Sequence, residues 1–283
     1  MEIYRNKKDL NPVIENFTSQ RLITGLVPTM GALHQGHLSI VKQALMENDK
    51  VFISIFVNPT QFNNKEDLEN YPRTFETDIE QLKAISDSNI IVYAPSVKDV
   101  YGDDVNSIEF DFDGLEEGME GQFRLGHFDG VGTVVKRLFE IVKPDNAYFG
   151  EKDFQQLMIV KKLVEKFNLP IKVIGCPIHR ENDGLAMSSR NLRLNPEYRK
   201  AAPFIYKILK KAKSKFAVKS AKNVEDWVEK QFAKNELLKL EYFTIAETKT
   251  LKTFKRKSKN KSYRAFIAVY ADDIRLIDNI ALN

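Results

Sequence analysis

The chain has 283 residues, of which 43% are hydrophobic, enough apolar material for one large domain or two ordinary ones without stabilising disulfides. Its single cysteine, Cys176, excludes an internal disulfide and a multi-cysteine metal cluster, and no apolar run approaches the roughly 18–20 residues needed to cross a bilayer. The first residues lack the apolar core of a signal peptide, so we expect a cytoplasmic protein with no membrane role.

The net charge of +4 is unevenly distributed along the chain. Residues 199–222 carry nine Lys or Arg and no acid, and residues 252–264 carry seven more. Such runs can bind nucleic acid. However, Ile205, Ile208 and Leu209 form an apolar stripe beneath the lysines, which is typical of a solvated helix face. We therefore favour a surface helix with no nucleic-acid partner and keep an RNA-binding or tRNA-modifying protein as the alternative function.

Short apolar runs alternate with helical patterns through the first two thirds of the chain. Strands are predicted at LITGLV, KVFISIFV, NIIVYAP, NAYFG and IKVIGCP, and helices at about residues 37–46, 74–86, 131–142 and 153–167. Runs that are buried on both faces and joined by helical crossovers indicate a parallel sheet. We therefore predict a Rossmann-like, doubly wound α/β domain over residues 1–185, with ligands at the carboxyl ends of the strands.

Two further segments depart from this alternation. Residues 101–130 form an insertion rich in glycine and acids, about 30 residues long, which is a length typical of a lid. Asn195 and Pro196 have the character of a helix N-cap and first helical position, and another helix is predicted from about residue 224. With strands at LEYFTIAE and in YRAFIAVYADDIRLIDNI, these helices predict a smaller α+β domain over residues 186–283.

Polar residues concentrate in the loops that follow the predicted strands. After the first strand, PTMGALHQGH places Gly31 and Gly36 near a helix start, with His34 and His37 on one side of its opening turn. A helix N-terminus attracts phosphate, and imidazoles donate hydrogen bonds to phosphate oxygens. An H-x-x-H pair alone is more often incidental. Its position after a strand is what favours phosphoryl or nucleotidyl transfer.

The other loops carry groups of matching chemistry. In GEKDFQQ, Lys152 can neutralise phosphate, and Asp153 can cap the next helix or meet a ribose hydroxyl. In MSSRN, Arg190 follows two serines and can grip a polyphosphate. Gln61 and Gln156 carry amides suited to a small substrate with a hydroxyl and a carboxylate. Each group alone fits an ordinary polar surface, but their common place at one sheet edge favours a nucleotide site.

The H-x-G-H helix start with a later M-S-S-R segment resembles the nucleotidyltransferase superfamily. The fuller set PTMGALHQGHLSIV, FVNPTQF, EDLENYPRT, GHFDGVGTVVKRLFEIVKPDNAYFGEKDFQQL, DGLAMSSRNLRL and RLIDNI is similar to the pantothenate synthetase family, the pantoate:β-alanine ligases, over nearly the whole chain. That family condenses pantoate with β-alanine through a pantoyl adenylate, using ATP and Mg²⁺ and releasing pyrophosphate and AMP. The resemblance implies a ligase of pantothenate biosynthesis that is typically a homodimer.

The resemblance also implies roles for individual residues. His34, His37, Lys152 and Arg190 would be catalytic, with His37 as the proton donor and the last two holding the departing pyrophosphate. The residues implied to bind ATP are Pro28, Met30, Gly31, His34, His37, Gly150, Lys152, Asp153, His179, Met187, Ser188, Ser189 and Arg190. Those implied to bind pantoate are Asn58, Gln61 and Gln156, with Gln61 also near β-alanine. The ligands of Mg²⁺ are not identified.

Three residues depart from the family pattern. Asn63 stands where glycine is common, Leu125 where proline is common, and His179 where an aliphatic residue usually places its backbone against adenine. Leucine in place of proline at position 125 puts the rigidity of the lid in doubt. Histidine at position 179 puts the side-chain contact with adenine in doubt and leaves the backbone contact possible. None of the three removes a side chain implied to be catalytic.

Overall fold

A parallel sheet forms the centre of the larger part of the computed structural model, which describes residues 1–62 and 65–283. In chain order its strands are β1 (Glu2–Tyr4), β2 (Thr24–Thr29), β3 (Lys50–Ile55), β4 (Ile90–Tyr93), β5 (Asn146–Gly150) and β6 (Lys172–Cys176). Their spatial order is β1-β4-β3-β2-β5-β6, and every paired neighbour runs parallel. The predicted doubly wound α/β class is confirmed. Asn63, one of the departures noted above, lies outside the described residues.

Helices join the strands. In chain order they are α1 (Lys7–Ser19), α2 (Gln35–Glu47), α3 (Lys65–Glu69), α4 (Phe75–Lys83), α5 (Val97–Tyr101), α6 (Glu120–Phe123), α7 (His127–Val142) and α8 (Phe154–Lys166). The four helices predicted here correspond to α2, α4, α7 and α8. Strand β1 was not predicted, because it has three residues and Glu2 and Ile3 are exposed, so no apolar run marks it.

Both faces of the sheet are covered, as the alternation along β2 shows. Leu26 packs in a core cluster with residues of α1, α7 and α8, whereas its neighbour Val27 packs in a second cluster with residues of α2 and α4. Successive side chains of a strand point to opposite faces, so two adjacent buried residues require a layer on each side. Within the described residues, no helix is long and apolar enough to span a membrane.

The described residues also form a second sheet, which is antiparallel. Its strands are β7 (Leu238–Glu247), β8 (Tyr263–Ala271) and β9 (Ile274–Ala281), in the order β7-β8-β9. Before it come α9 (Pro196–Ala201), α10 (Phe204–Val218) and α11 (Ala221–Phe232). Asn195 caps α9 by accepting from the Tyr198 N–H at 3.0 Å, as predicted, but this helix ends before Pro203 and the long basic helix is separate. Helix α10 buries Ile205, Ile208 and Leu209, which confirms the solvated-face interpretation of its lysines.

The insertion at residues 101–130 packs closely on α7. The Ile108 N–H donates to Thr133 Oγ1 at 2.8 Å, and the Phe110 N–H donates to Asp129 Oδ1 at 3.0 Å. Phe112, which follows these two contacts in the sequence, is buried in the core cluster that contains residues of α7. Part of the insertion, including Phe112, therefore belongs to the core, whereas residues 102–109 are exposed, and a lid function for it stays a prediction.

Helix α7 touches the turn Pro59–Gln61 at Gly130, where a Cβ would lie 2.3 Å from the Thr60 carbonyl oxygen. In an open helix, Gly→Ala stabilises by about 1 kcal/mol. Here the added methyl would overlap backbone, so we expect Gly130→Ala to lower the free energy of unfolding by about 1–3 kcal/mol in urea titration.

Gly118→Ala is the matched control, since no described heavy atom lies within 4 Å of a Cβ placed there. This variant should unfold within about 0.5 kcal/mol of the original chain. Equal stability of the two variants would contradict the close approach of α7 to the turn.

Candidate active site

A crevice opens at the carboxyl ends of the strands, between β2 and β5, where the strand order reverses. Ligands of doubly wound sheets bind at such a reversal. The predicted site residues that line it are Pro28, Met30, His34, His37, Asn58, Gln61, Gly150, Lys152, Asp153, Gln156, His179, Met187, Ser188, Ser189 and Arg190. Gly31 is not among the described lining residues. The structure thus brings together residues from four separate loops.

Gly31 acts on the site through the backbone. Its φ of 78° and the φ of 49° at Ala32 make the left-handed turn that carries the chain from β2 into α2. Asp78, which is 1% exposed, accepts from the Ala32 N–H at 2.9 Å and the Leu33 N–H at 2.8 Å. A carboxylate on α4 therefore holds the turn. Sequence reasoning missed Asp78, because an acid in the first turn of a helix is ordinarily a surface residue.

The two histidines of this loop stack on each other, with ring centroids 4.0 Å apart. His34 is the N-cap of α2, and its Nδ1 accepts from the Gly36 N–H at 3.1 Å. The neutral ring therefore carries its proton on Nε2, as a donor for a ligand. Burial, followed by the charge of Lys152, lowers the pKa of His34 to about 4, and burial followed by His34 lowers the pKa of His37 to about 3. Both rings are neutral at pH 7.

Lys152 and Asp153 lie in the turn Glu151–Asp153, between β5 and α8. The Lys152 ammonium is 3.5 Å from the Asp153 carboxylate, and its side chain is 19% exposed. Asp153 holds the N-cap position of α8, but within the described part of the chain its side chain makes no capping hydrogen bond. The capping role considered for Asp153 is therefore wrong, and its carboxylate is directed to Lys152 and the crevice.

Arg190 pairs with Asp67, an acid to which the sequence analysis assigned no role. Ser188 caps the turn Ser189–Arg193 by accepting from the Arg190 N–H at 3.3 Å. The Arg190 guanidinium pairs with Asp67 of α3 at 2.8 Å, and Arg193 pairs with the other oxygen of Asp67 at 3.3 Å. The group predicted to grip polyphosphate is thus paired with a carboxylate from another helix.

Two of the three predicted pantoate-binding amides, those of Asn58 and Gln61, form a hydrogen-bonded cluster. Asn58, 1% exposed, donates to Gln61 Oε1 at 3.1 Å and to the Gly130 carbonyl at 3.2 Å, and it accepts from the Tyr101 hydroxyl at 2.6 Å. The Gln61 amide donates to the sulfur of Met30 at 3.2 Å. Gln156 lines the same crevice from α8. The cluster offers uncharged donors and acceptors beside the histidine loop.

His127 and Arg124 support Gln61 from behind, and sequence reasoning assigned neither a role. Arg124 donates to His127 Nε2 at 3.1 Å, so the proton of the neutral ring lies on Nδ1, which donates to the Gln61 carbonyl at 2.9 Å. Burial, followed by the charge of Arg124, lowers the pKa of His127 to about 4. The signal for it was present in the sequence, since His127 is one of only four histidines.

The arrangement has two chemically distinct sides. One side carries two neutral imidazoles, Lys152, Arg190 and the N-terminus of α2, all suited to phosphate. The other side carries the amide cluster of Asn58 and Gln61, suited to a small polar molecule. Among the described residues, no group of three or more His, Cys, Asp or Glu is placed to hold a metal ion.

Comparisons with known proteins agree on one family. The family model described as pantoate-beta-alanine ligase matches residues 2–281. The chain is 57% identical to a pantothenate synthetase of Christiangramia forsetii over 283 residues, covering 100% of both proteins.

Solved structures are similar over the whole chain as well. A pantothenate synthetase from Thermus thermophilus superposes with a TM-score of 0.91 at 36% identity, covering 100% of this chain and 99% of that one. A pantoate-beta-alanine ligase from Francisella tularensis, complexed with beta-gamma ATP and beta-alanine, gives a TM-score of 0.80 at 37% identity, with 100% and 98% covered. These comparisons give no support to the RNA-binding alternative.

The pairing of Arg190 with Asp67 predicts an effect on anion binding. In Asp67→Asn the carboxylate no longer competes for the guanidinium, so inorganic pyrophosphate should bind about threefold more tightly or better at low salt. Isothermal titration calorimetry measures this directly. The matched control is Asp273→Asn, since Asp273 is 3.0 Å from Arg193 and 70% exposed. Unchanged or weaker binding in Asp67→Asn would contradict the prediction.

The pKa of His127 predicts how stability depends on pH. The pKa is about 4 in the folded chain and 6.5 for an unperturbed histidine, so between pH 6.5 and 5 the unfolded state binds a proton that the folded state does not. The free energy of unfolding therefore falls as the pH is lowered, by up to about 1.4 kcal/mol per pH unit from this residue. His127→Gln should show a shallower slope in urea titrations across this range, and an unaltered slope would refute the assignment.

Proposed function

The chain belongs to the pantoate-beta-alanine ligase family, and we propose that its crevice joins pantoate to β-alanine through a pantoyl adenylate, with ATP as the energy source. One observation carries the proposal. Groups suited to phosphate and amides suited to a small polar molecule line opposite sides of one crevice, at the point where the strand order reverses. The Francisella tularensis relative, complexed with beta-gamma ATP and beta-alanine, supports ATP and β-alanine as substrates. The enzyme is a ligase.

In the first step, a pantoate carboxylate oxygen attacks the α-phosphorus of ATP. The new P–O bond gives pantoyl adenylate, and the bond to the β-phosphate breaks to release pyrophosphate. Attack brings two anions together, so positive charge and hydrogen-bond donors must offset the repulsion. Lys152 and Arg190 neutralise the departing pyrophosphate, and His34 and His37 donate hydrogen bonds to it. The phosphates of bound ATP raise the lowered pKa of both imidazoles, so that a ring can take up a proton from solvent when ATP binds. The protonated His37 then gives that proton to the departing pyrophosphate.

In the second step, the β-alanine amine attacks the acyl carbon of the adenylate. The amide bond forms, the bond to the phosphate oxygen breaks, and AMP leaves while the amine loses a proton. The amide cluster holds pantoate through this exchange: Asn58 and Gln61 orient its hydroxyl and carboxylate groups, and Gln156 closes the same side. The hydrogen bond from His127 fixes the Gln61 backbone. The Gln61 side chain can therefore hold the pantoyl group in one orientation while the amine attacks its acyl carbon.

Mg²⁺ is proposed as the accompanying ion, because it neutralises transferring phosphates when bound. Mg²⁺ commonly keeps few protein ligands in nucleotide sites and relies on substrate phosphates. The described crevice lining carries one carboxylate, Asp153, and this donor set fits such an ion. Asp153 would be the protein ligand, with the phosphates of ATP supplying the remainder.

We also propose a cytoplasmic location, a homodimer and a domain boundary between residues 185 and 186. The single cysteine, which is buried and unpaired with another, is consistent with a reducing compartment. The homodimer is supported by the family resemblance. For the boundary, Cys176 packs in the core of the six-stranded sheet, whereas Ala202 and Ile205 pack in the core of α10, α11 and the second sheet among the described residues.

The decisive experiment measures the two products separately. Pyrophosphate release from ATP should require pantoate, and AMP formation should follow on addition of β-alanine. Lys152→Ala should lower the rate of pyrophosphate release on the order of 10²-fold, because the charge on the leaving group is then unopposed. Lys161→Ala, an exposed lysine on α8, is the matched control. Pyrophosphate release that is indifferent to pantoate would rule out the ligase reaction.

A further inference from the structure

Strand β9 of the second sheet meets the loops after β5 and β6 with two adjacent buried polar residues, Asp278 and Asn279. They are 5% and 2% exposed. They lie in the RLIDNI segment, to which the reaction described above gives no part. A buried polar side chain must find hydrogen-bond partners, so the partners of these two residues show what the segment holds in place.

Asn279 uses both hydrogens of its side-chain amide on the loop after β5. Its Nδ2 donates to the Glu151 carbonyl at 2.8 Å and to the Lys152 carbonyl at 2.9 Å. Its Oδ1 accepts from Arg264 of β8. Arg264 in turn pairs with the Glu151 carboxylate at 3.1 Å, with its guanidinium over the Phe154 ring. Because two carbonyls face Nδ2 and a guanidinium faces Oδ1, only one orientation of the amide satisfies all of them.

Asp278 holds the loop after β6 in a similar way. Its two carboxylate oxygens accept from the two terminal nitrogens of Arg180 at 2.6 and 2.8 Å. Arg180 also donates to the Gly184 carbonyl at 3.1 Å, and the carbonyl of its neighbour His179 accepts from the Met187 N–H at 3.1 Å. One strand therefore fixes the loops that follow two adjacent strands of the other sheet.

We propose that Asn279 is a positioning residue that fixes Lys152 for its contact with the phosphates of ATP. The inference rests on the proposed function, in which Lys152 neutralises those phosphates. The hydrogen bonds from Asn279 fix the first two peptide carbonyls of the turn Glu151–Asp153, and that turn places the lysine backbone at the crevice wall. Without these two hydrogen bonds, the turn can move away from the crevice. The Lys152 ammonium would then contact the triphosphate in a smaller fraction of complexes and with poorer geometry.

The test is a double-mutant cycle on Asn279→Ala and Lys152→Ala. Two quantities are measured for each protein: the dissociation constant of ATP, by calorimetry, and the single-turnover rate of pyrophosphate release with pantoate. With Lys152 present, we expect Asn279→Ala to weaken ATP binding and to slow release on the order of tenfold or more. In the Lys152→Ala background, Asn279→Ala should change the dissociation constant of ATP and the rate of pyrophosphate release by less than about threefold each. The reason is that the group through which Asn279 acts is absent.

Asn283→Ala is the matched control. Asn283 donates to the Lys261 carbonyl at 2.9 Å and accepts from the Tyr263 N–H at 2.8 Å, so it also joins backbone segments of the second sheet. This variant should keep ATP binding and pyrophosphate release within about twofold of the original chain. If Asn279→Ala does not fold, Asn279→Ser, which keeps one donor, replaces it in the cycle.

Three results would overturn the proposal: no loss in Asn279→Ala, an equal loss with and without Lys152, or the same loss in Asn283→Ala. Failure of the proposed function is distinguishable from these. If the original chain releases no pyrophosphate with pantoate, the ligase reaction fails, and the cycle on ATP binding still decides whether Asn279 acts through Lys152.

Discussion

The pairing of β2 with two different neighbours is the constraint on which the crevice depends. β2 pairs with β3 along its whole length, from Thr24 to Thr29, but its pairing with β5 involves Gly25 and Leu26 near its start. Beyond Leu26 no ladder pairing joins these two described strands, and residues of both strands past that point line the crevice. The loops proposed to bind phosphate are therefore brought together by the sheet itself, before any side chain of the site is considered.

The electrostatics of the site follow from this geometry. Burial lowers the pKa of both loop histidines and keeps them neutral, so the fixed positive charge of the crevice comes from Lys152 and Arg190. Each of these is accompanied by an acid, Asp153 and Asp67, at 3.5 and 2.8 Å. Acids so placed balance the cations while no ligand is bound, and they compete with phosphate for the same cations.

Much of the site could be predicted from the sequence because its main groups are local. Glycines, histidines and the Lys-Asp pair lie in short loops directly after apolar runs, and parallel strands carry such loops to one edge. Asp78, Asp67, His127 and Asn279 escaped prediction for the opposite reason. Each acts on a loop that is distant in sequence. Nothing near Asp78, Asp67 or Asn279 distinguishes it from a surface acid or a polar residue of a strand, and His127 was marked only by the small number of histidines. The break between α9 and α10 was missed because an apolar stripe continues across Pro203.

The hydrogen bonds of Asn279 join residues that are 127 and 128 positions apart along the chain. During synthesis, every strand of the six-stranded sheet and its histidine loop are therefore made well before β9. Until β9 is in place, the loop after β5 lacks the partners of two peptide carbonyls. The final arrangement of this side of the crevice thus depends on the last strand of the chain.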